Sequence, residues 1–225
     1  MEPRAIRRAI PPWAARALLS LLIGWTPARL RSAEPPGERT IVFFGDSLTA
    51  GYGLADPDTQ SYPAQVQARI DAEHLRWRVV NAGVSGETSA GGLRRIDWVL
   101  RQRPDVFVLE LGANDGLRGT ATEATRANLQ AIIDRVRSRY PEAKIVLAGM
   151  RMPQNMGPDY ASAFRAIYPA LAQKNAITLI PFLLDGVAAR PDLNQPDGIH
   201  PTASGAAIIA GEVWKLIAPM IRDEH

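Results

Sequence analysis

Residues 41–48 read Ile41-Val42-Phe43-Phe44-Gly45-Asp46-Ser47-Leu48. Four apolar residues, β-branched or aromatic and stopped by a glycine, predict a short buried strand that ends in a turn. The same cadence recurs along the chain. Arg76-Trp-Arg-Val-Val80 leads into Asn81-Ala-Gly83, and Val106-Phe-Val-Leu109 runs through Glu110-Leu111 to Gly112. Lys144-Ile-Val-Leu-Ala148 stops at Gly149, and Ala176-Ile-Thr-Leu-Ile180 stops at Pro181.

Helical patterns lie between these runs. Tyr62-Pro63 opens one that reaches about His74, with the proline tolerated in a first turn. Ser89 is placed to cap a helix whose apolar positions are Leu93, Ile96 and Leu100. Residues 122–140 put Leu129, Ile132, Ile133 and Val136 on one face, and 159–174 and 204–221 complete the set. Strands alternating with helices predict an α/β fold: a parallel sheet covered by helices on both faces. No repeat or inter-domain linker appears after residue 40, so one domain, 40–225, is expected behind a short linker at 34–39.

In open α/β sheets, sites form at the carboxyl ends of the strands. Four loops there hold groups suited to acyl transfer: Gly45-Asp46-Ser47-Leu48, Asn81 to Gly86, Gly112-Ala113-Asn114-Asp115, and Asp197-Gly198-Ile199-His200 ahead of the last helix. A serine hydroxyl needs a base within hydrogen-bond reach. The chain has three histidines, of which His74 falls late in a surface helix pattern and His225 ends the chain, so His200 is the best base. Asp197, three residues earlier, is close enough in a short turn to hold one imidazole nitrogen. The backbone N–H groups of Ser47 and Gly83 and the side-chain amide of Asn114 are suited to an oxyanion.

Composition narrows the classes. The chain has 225 residues and no cysteine, which excludes thiol nucleophiles, zinc ribbons and iron–sulfur clusters. Its formal charge of +3 resides in the first 33 residues, where six arginines stand against one acid. The body is near neutral and gives no electrostatic reason to expect nucleic acid. That basic start runs into a nine-residue apolar stretch, Ala17 to Trp25, followed by Ala28 and Ala33. The layout is that of a signal peptide over residues 1–33, cut after Ala28 or Ala33. Spanning a bilayer takes about 20 apolar residues. A soluble, exported body with no membrane anchor after leader removal is therefore expected.

The four blocks together resemble the GDSL/SGNH hydrolases in order, spacing and strand-end placement, over most of residues 40–201. Gly45 to Tyr52 and Gly112 to Gly119 look like the bacterial periplasmic subgroup of multifunctional acyl-thioesterases, lysophospholipases and arylesterases; Pro181-Phe182-Leu183 and Asp197 to Pro201 point the same way. The resemblance implies a flavodoxin-like three-layer sandwich with a five-stranded parallel sheet. It implies Ser47 as nucleophile, His200 as base and then acid, and Asp197 as its orienting partner. Ser47, Gly83 and Asn114 would supply the oxyanion hole. Ala113 stands where a second glycine is often found in the subgroup, a change expected to stiffen the loop without disabling it. The function implied is serine-esterase hydrolysis of small acyl esters and thioesters through an acyl-enzyme, by a periplasmic or secreted monomer with no metal or cofactor. A carbohydrate O-deacetylase of the same fold and a non-catalytic binding protein are the alternatives.

Ser85 is a rival nucleophile, but the sharp strand-to-helix turn favours Ser47, and no Gly-x-Ser-x-Gly elbow exists. Asp46 and Asp115 are read as holding their own loops rather than as paired glycosidase acids. Met150, Met152 and Met156 follow the fourth strand, and flexible thioethers suit an adaptable apolar groove. With Leu117 and Tyr160 they are the candidate acyl-chain contacts.

Overall fold

A computed structural model describes residues 39–222. The leader and its two cut positions lie outside the described residues. Strand β1 (Arg39–Gly45) is buried from Thr40 onward, because it is central and covered on both faces. It takes in Arg39, one residue before the expected domain start. The other strands are β2 (Trp77–Gly83), β3 (Val106–Glu110), β4 (Lys144–Ala148) and β5 (Thr178–Ile180). They form one all-parallel sheet in the order β2-β1-β3-β4-β5.

The helices are α1 (Ser47–Ala50), α2 (Pro57–Gln60), α3 (Tyr62–Ala72), α4 (Ser89–Val99), α5 (Ala113–Leu117), α6 (Thr122–Arg139), α7 (Pro158–Asn175) and α8 (Ala203–Arg222). The chain moves outward from β1 to β2 and then returns past β1 to β3. Right-handed crossovers therefore put α3 and α4 on opposite faces. The packing follows: α3 lies against α8, while α4 meets α6 and α6 meets α7. The reversal leaves a crevice between the ends of β1 and β3, where such folds bind ligands. Ser47 follows β1 and Asn114 follows β3.

Two local readings change. The cap of α4 is Thr88, whose hydroxyl accepts from Gly91 N–H at 3.1 Å; Ser89 lies inside the helix and is buried. Helix α8 is long and apolar enough, by length and composition, to cross a membrane, although no membrane anchor is expected in the body from the sequence. Half of its apolar window is buried, with Ile209, Val213, Ile217 and Ile221 in the core, as expected of a core helix.

The β2 edge is partly closed by a side chain. Gln67 of α3 accepts from Val79 N–H at 2.6 Å and donates to Trp77 C=O at 3.2 Å, the two bonds a neighbouring strand would make.

Candidate active site

Gly45 ends β1 where a Cβ would collide with Thr49 Oγ1 and Glu110 Oε2, so the turn closes only over glycine. Asp46 then caps α1, accepting Leu48 N–H at 3.0 Å. Ser47 is thereby set at the first helical position, and no acceptor for its N–H is present among the described residues.

The loop before α8 brings the histidine. Asp197 Oδ1 accepts the N–H groups of Ile199 at 2.9 Å and His200 at 3.0 Å, which folds the Asp-Gly-Ile-His turn on itself. Gly198, at φ +69°, provides the left-handed residue that turn requires. Asp197 Oδ2 lies 2.6 Å from His200 Nδ1, and His200 Nε2 lies 2.8 Å from Ser47 Oγ. Three residues from loops 150 positions apart form one hydrogen-bonded line. Partial desolvation pushes the Asp197 carboxyl up, but the bonds from the His200 ring and from the His200 and Ile199 N–H groups outweigh it and hold the group down at about 2. The Tyr52 ring packs against the His200 ring with centroids 4.7 Å apart.

The two other proposed oxyanion donors are already engaged. Gly83 N–H donates to Asn81 Oδ1 at 3.0 Å. Asn114 Nδ2 donates to Asp46 Oδ2 at 3.2 Å and to Glu87 C=O at 3.0 Å. Gly83 is glycine for a steric reason as well, since a Cβ there would strike the backbone of Ala50.

Residues 43–208 match the family model described as the GDSL-like Lipase/Acylhydrolase family. The chain belongs to this family. It is 36% identical over 203 residues to Esterase TesA of Pseudomonas aeruginosa, covering 90% of this chain and 99% of that one. It is 37% identical over 186 residues to Thioesterase 1/protease 1/lysophospholipase L1 of Escherichia coli (strain K12), covering 82% and 86%. Among solved structures, the crystal structure of TesA superposes with a TM-score of 0.76 at 39% identity, over 81% of this chain and 99% of that chain. The protein is a GDSL serine esterase.

The expected acyl-chain contacts divide in this esterase. Leu117, at the end of α5, is 43% exposed. Met152 is half-buried over Gly116, where its thioether fills the space a Cβ would need. Met156 is also half-buried. Met150 is a correction: at 2% exposure it is core filler beyond the end of β4 and has no face to offer a ligand. Tyr160 is half-buried, and its hydroxyl donates to Thr120 C=O at 2.7 Å, tying α7 to the loop after α5.

Asp46 does hold its own loop, whereas Asp115 reaches elsewhere. It accepts the N–H and hydroxyl of Ser89 at 2.7 and 2.5 Å, pinning the start of α4.

Glu110 went unread in the sequence. It is wholly buried under the serine turn. Its Oε2 accepts Asp46 N–H at 3.1 Å and the Thr49 hydroxyl at 2.7 Å, and Tyr62 OH lies 2.8 Å from that hydroxyl. Its Oε1 is buried with no partner. Burial, then the neighbouring Asp46 carboxyl, push Glu110 well above the usual range. Burial likewise raises Asp46, to about 6, against the bonds it accepts. A lone glutamate within an apolar run, Val106 to Leu111, was the available signal.

Proposed function

We propose that Ser47 is the nucleophile, His200 the general base and then acid, and Asp197 the residue that orients it. The observation that carries this is the unbroken line from Asp197 Oδ2 through His200 to Ser47 Oγ, with contacts of 2.6 and 2.8 Å. Ser47 Oγ attacks the carbonyl carbon while His200 Nε2 takes its proton. The tetrahedral oxyanion is held by the N–H groups of Ser47 and Gly83 and by Asn114 Nδ2. The C–O or C–S bond then breaks, and the proton passes from His200 to the departing alcohol or thiol. Water, deprotonated by His200, attacks the acyl-enzyme and releases the carboxylic acid with Ser47 restored.

Gly83 and Asn114 give up Asn81 Oδ1 and Asp46 Oδ2 as the oxyanion forms, which for Gly83 exchanges a neutral amide oxygen for a charged acceptor. The substrates are small acyl esters and thioesters, the range spanned by the names of its relatives: esterase, thioesterase and lysophospholipase. The acyl chain lies over Leu117, Met152 and Met156. The protein works as a periplasmic or secreted monomer after removal of the leader by a cut after Ala28 or after Ala33. The arginine-rich start and apolar run of the leader support this.

Purified protein starting at Glu34 and its Ser47→Ala variant, assayed on p-nitrophenyl esters from acetyl to palmitoyl, test the mechanism. Turnover should vanish in the variant; persistence would overturn the nucleophile. N-terminal sequencing of exported protein should begin at residue 29 or 34, and retention of Met1 would reject the leader.

A further inference from the structure

Both ring nitrogens of His200 are engaged, Nδ1 by Asp197 at 2.6 Å and Nε2 by Ser47 at 2.8 Å. Beyond those two bonds, the imidazole packs against the Tyr52 ring, with centroids 4.7 Å apart and planes tilted by 48°. Tyr52 is nonetheless 54% exposed, and its hydroxyl has no hydrogen-bond partner among the described residues. A single exposed aromatic is ordinary. Contact with the base, enforced by the backbone, is not.

The chain turns back after α1 because Gly51 and Tyr52 both donate their N–H to Ser47 C=O, at 3.1 and 3.0 Å. From the other side, Gln195 Nε2 donates to Tyr52 C=O at 2.7 Å and to Pro201 C=O at 3.0 Å. Gln195 N–H donates to His200 C=O at 2.7 Å, so one residue grips both the histidine turn and the tyrosine. Gly53 is fitted to that grip: it sits at φ +73°, and a Cβ there would strike the Gln195 amide. Between residues 47–56 and 190–202, the hydrogen bonds among the described residues are two, His200 to Ser47 and Gln195 to Tyr52. The second holds the base beside the nucleophile without using either reacting atom.

Resting on the reaction proposed above, we infer that Tyr52 is a positioning residue for His200, whose ring it holds in line and whose imidazolium it stabilises through its π-electrons. When His200 takes a proton from Ser47, and later from water, the imidazole becomes a cation. An aromatic ring attracts a cation within about 6 Å of its centroid, and a neutral imidazole offers no such charge. The attraction therefore appears with the transition state and is absent from the bound ester, the condition for raising kcat rather than lowering KM. Asp197 offsets that charge through Nδ1, and Tyr52 offsets it through the ring.

The test replaces Tyr52 by Leu, by Phe, and by phenylalanines carrying one, two and three ring fluorines, which withdraw π-density and keep the shape. On p-nitrophenyl butyrate, Tyr52→Leu should lower kcat about five-fold at unchanged KM, and Tyr52→Phe should restore most of the loss. Across the fluorinated series kcat should fall stepwise by a similar total factor, with no change in melting temperature. A tyrosine that only packs would leave that series flat, and a flat series would overturn the inference. So would a rise in KM at constant kcat, which would make Tyr52 a substrate contact. If Tyr52→Leu does not fold, the fluorinated series decides alone. Activity persisting in Ser47→Ala would reject the reaction itself, whereas a flat series beside an inactive Ser47→Ala rejects only the role of Tyr52.

Discussion

Asp197 and Glu110 flank the same serine turn, and their surroundings drive them in opposite directions. Asp197 sits in an open loop and accepts three hydrogen bonds, from two N–H groups and the His200 ring. Its carboxyl is held at about 2. Glu110 is sealed under the turn, with one oxygen bonded by Asp46 N–H and Thr49 and the other bonded by nothing. Burial and Asp46 push it far the other way. Donor count and access to water decide the charge, and the residue type decides little. The ionised acid begins the hydrogen-bonded line to Ser47, and the buried one lies in the platform on which the serine stands.

The largest test of that division is Asp197→Asn. An amide cannot orient His200 as the carboxylate does, so kcat should fall on the order of 10³–10⁴-fold while the melting temperature barely moves. A ten-fold loss or less would remove Asp197 from the chemical side of the comparison. Next comes Asn114→Ala, which should lower kcat about 10²-fold with little change in KM if, as proposed, the amide acts on the oxyanion and not on the bound ester. Steady-state kinetics on p-nitrophenyl butyrate separate the two parameters.

On the platform side, Gly45→Ala drives a methyl group into Glu110 Oε2 and Thr49 Oγ1. A loss of about 1–3 kcal/mol in urea unfolding is expected. Combining it with Glu110→Ala should give less than the sum of the single losses, since the collision is shared. Strict additivity would mean that the glycine answers to something else.

The smallest effect is in pH dependence. Asp46, raised from 3.8 to about 6, and Glu110, raised from 4.5, hold protons in the folded state that the unfolded chain has lost. Their contribution is fully present below about pH 4 and fades as pH rises through 6 and beyond. Asp197 runs the other way: its contribution is present above about pH 4 and is lost as pH falls towards 2. Glu110→Gln keeps an acceptor for Asp46 N–H without the titration. Its unfolding free energy between pH 4 and 8 should therefore decline less steeply than that of the wild type. An identical slope would show that Glu110 is not the titrating group.

The strands were legible because each is an apolar run closed by glycine or proline, and the four site loops were legible because they follow those strands. What escaped depended on partners distant in sequence. Glu110 went unread, since nothing local announces that Thr49 and Asp46, more than 60 residues earlier, lie over it. Ser89 read as a cap because Ser and Thr are interchangeable there by chemistry; Asp115, 26 residues on, draws it inward and leaves the capping to Thr88. Met150 and Met152 read alike, and only packing separates the core residue from the half-buried one. The occupied state of Gly83 and Asn114 was equally invisible, because it arises from Asn81, Asp46 and Glu87 converging in space.

Gln67 has a consequence for how copies of this protein meet one another. A strand from a second copy approaching β2 would seek Trp77 C=O and Val79 N–H and find both bonded to a side-chain amide from α3. It would have to evict that amide to pair with the first half of β2, so strand addition is hindered at that end of the edge. The amide sits at the start of β2, away from Gly83 and the serine turn. At the β2 side of the sheet, crowded molecules therefore meet a capped edge rather than a bare one.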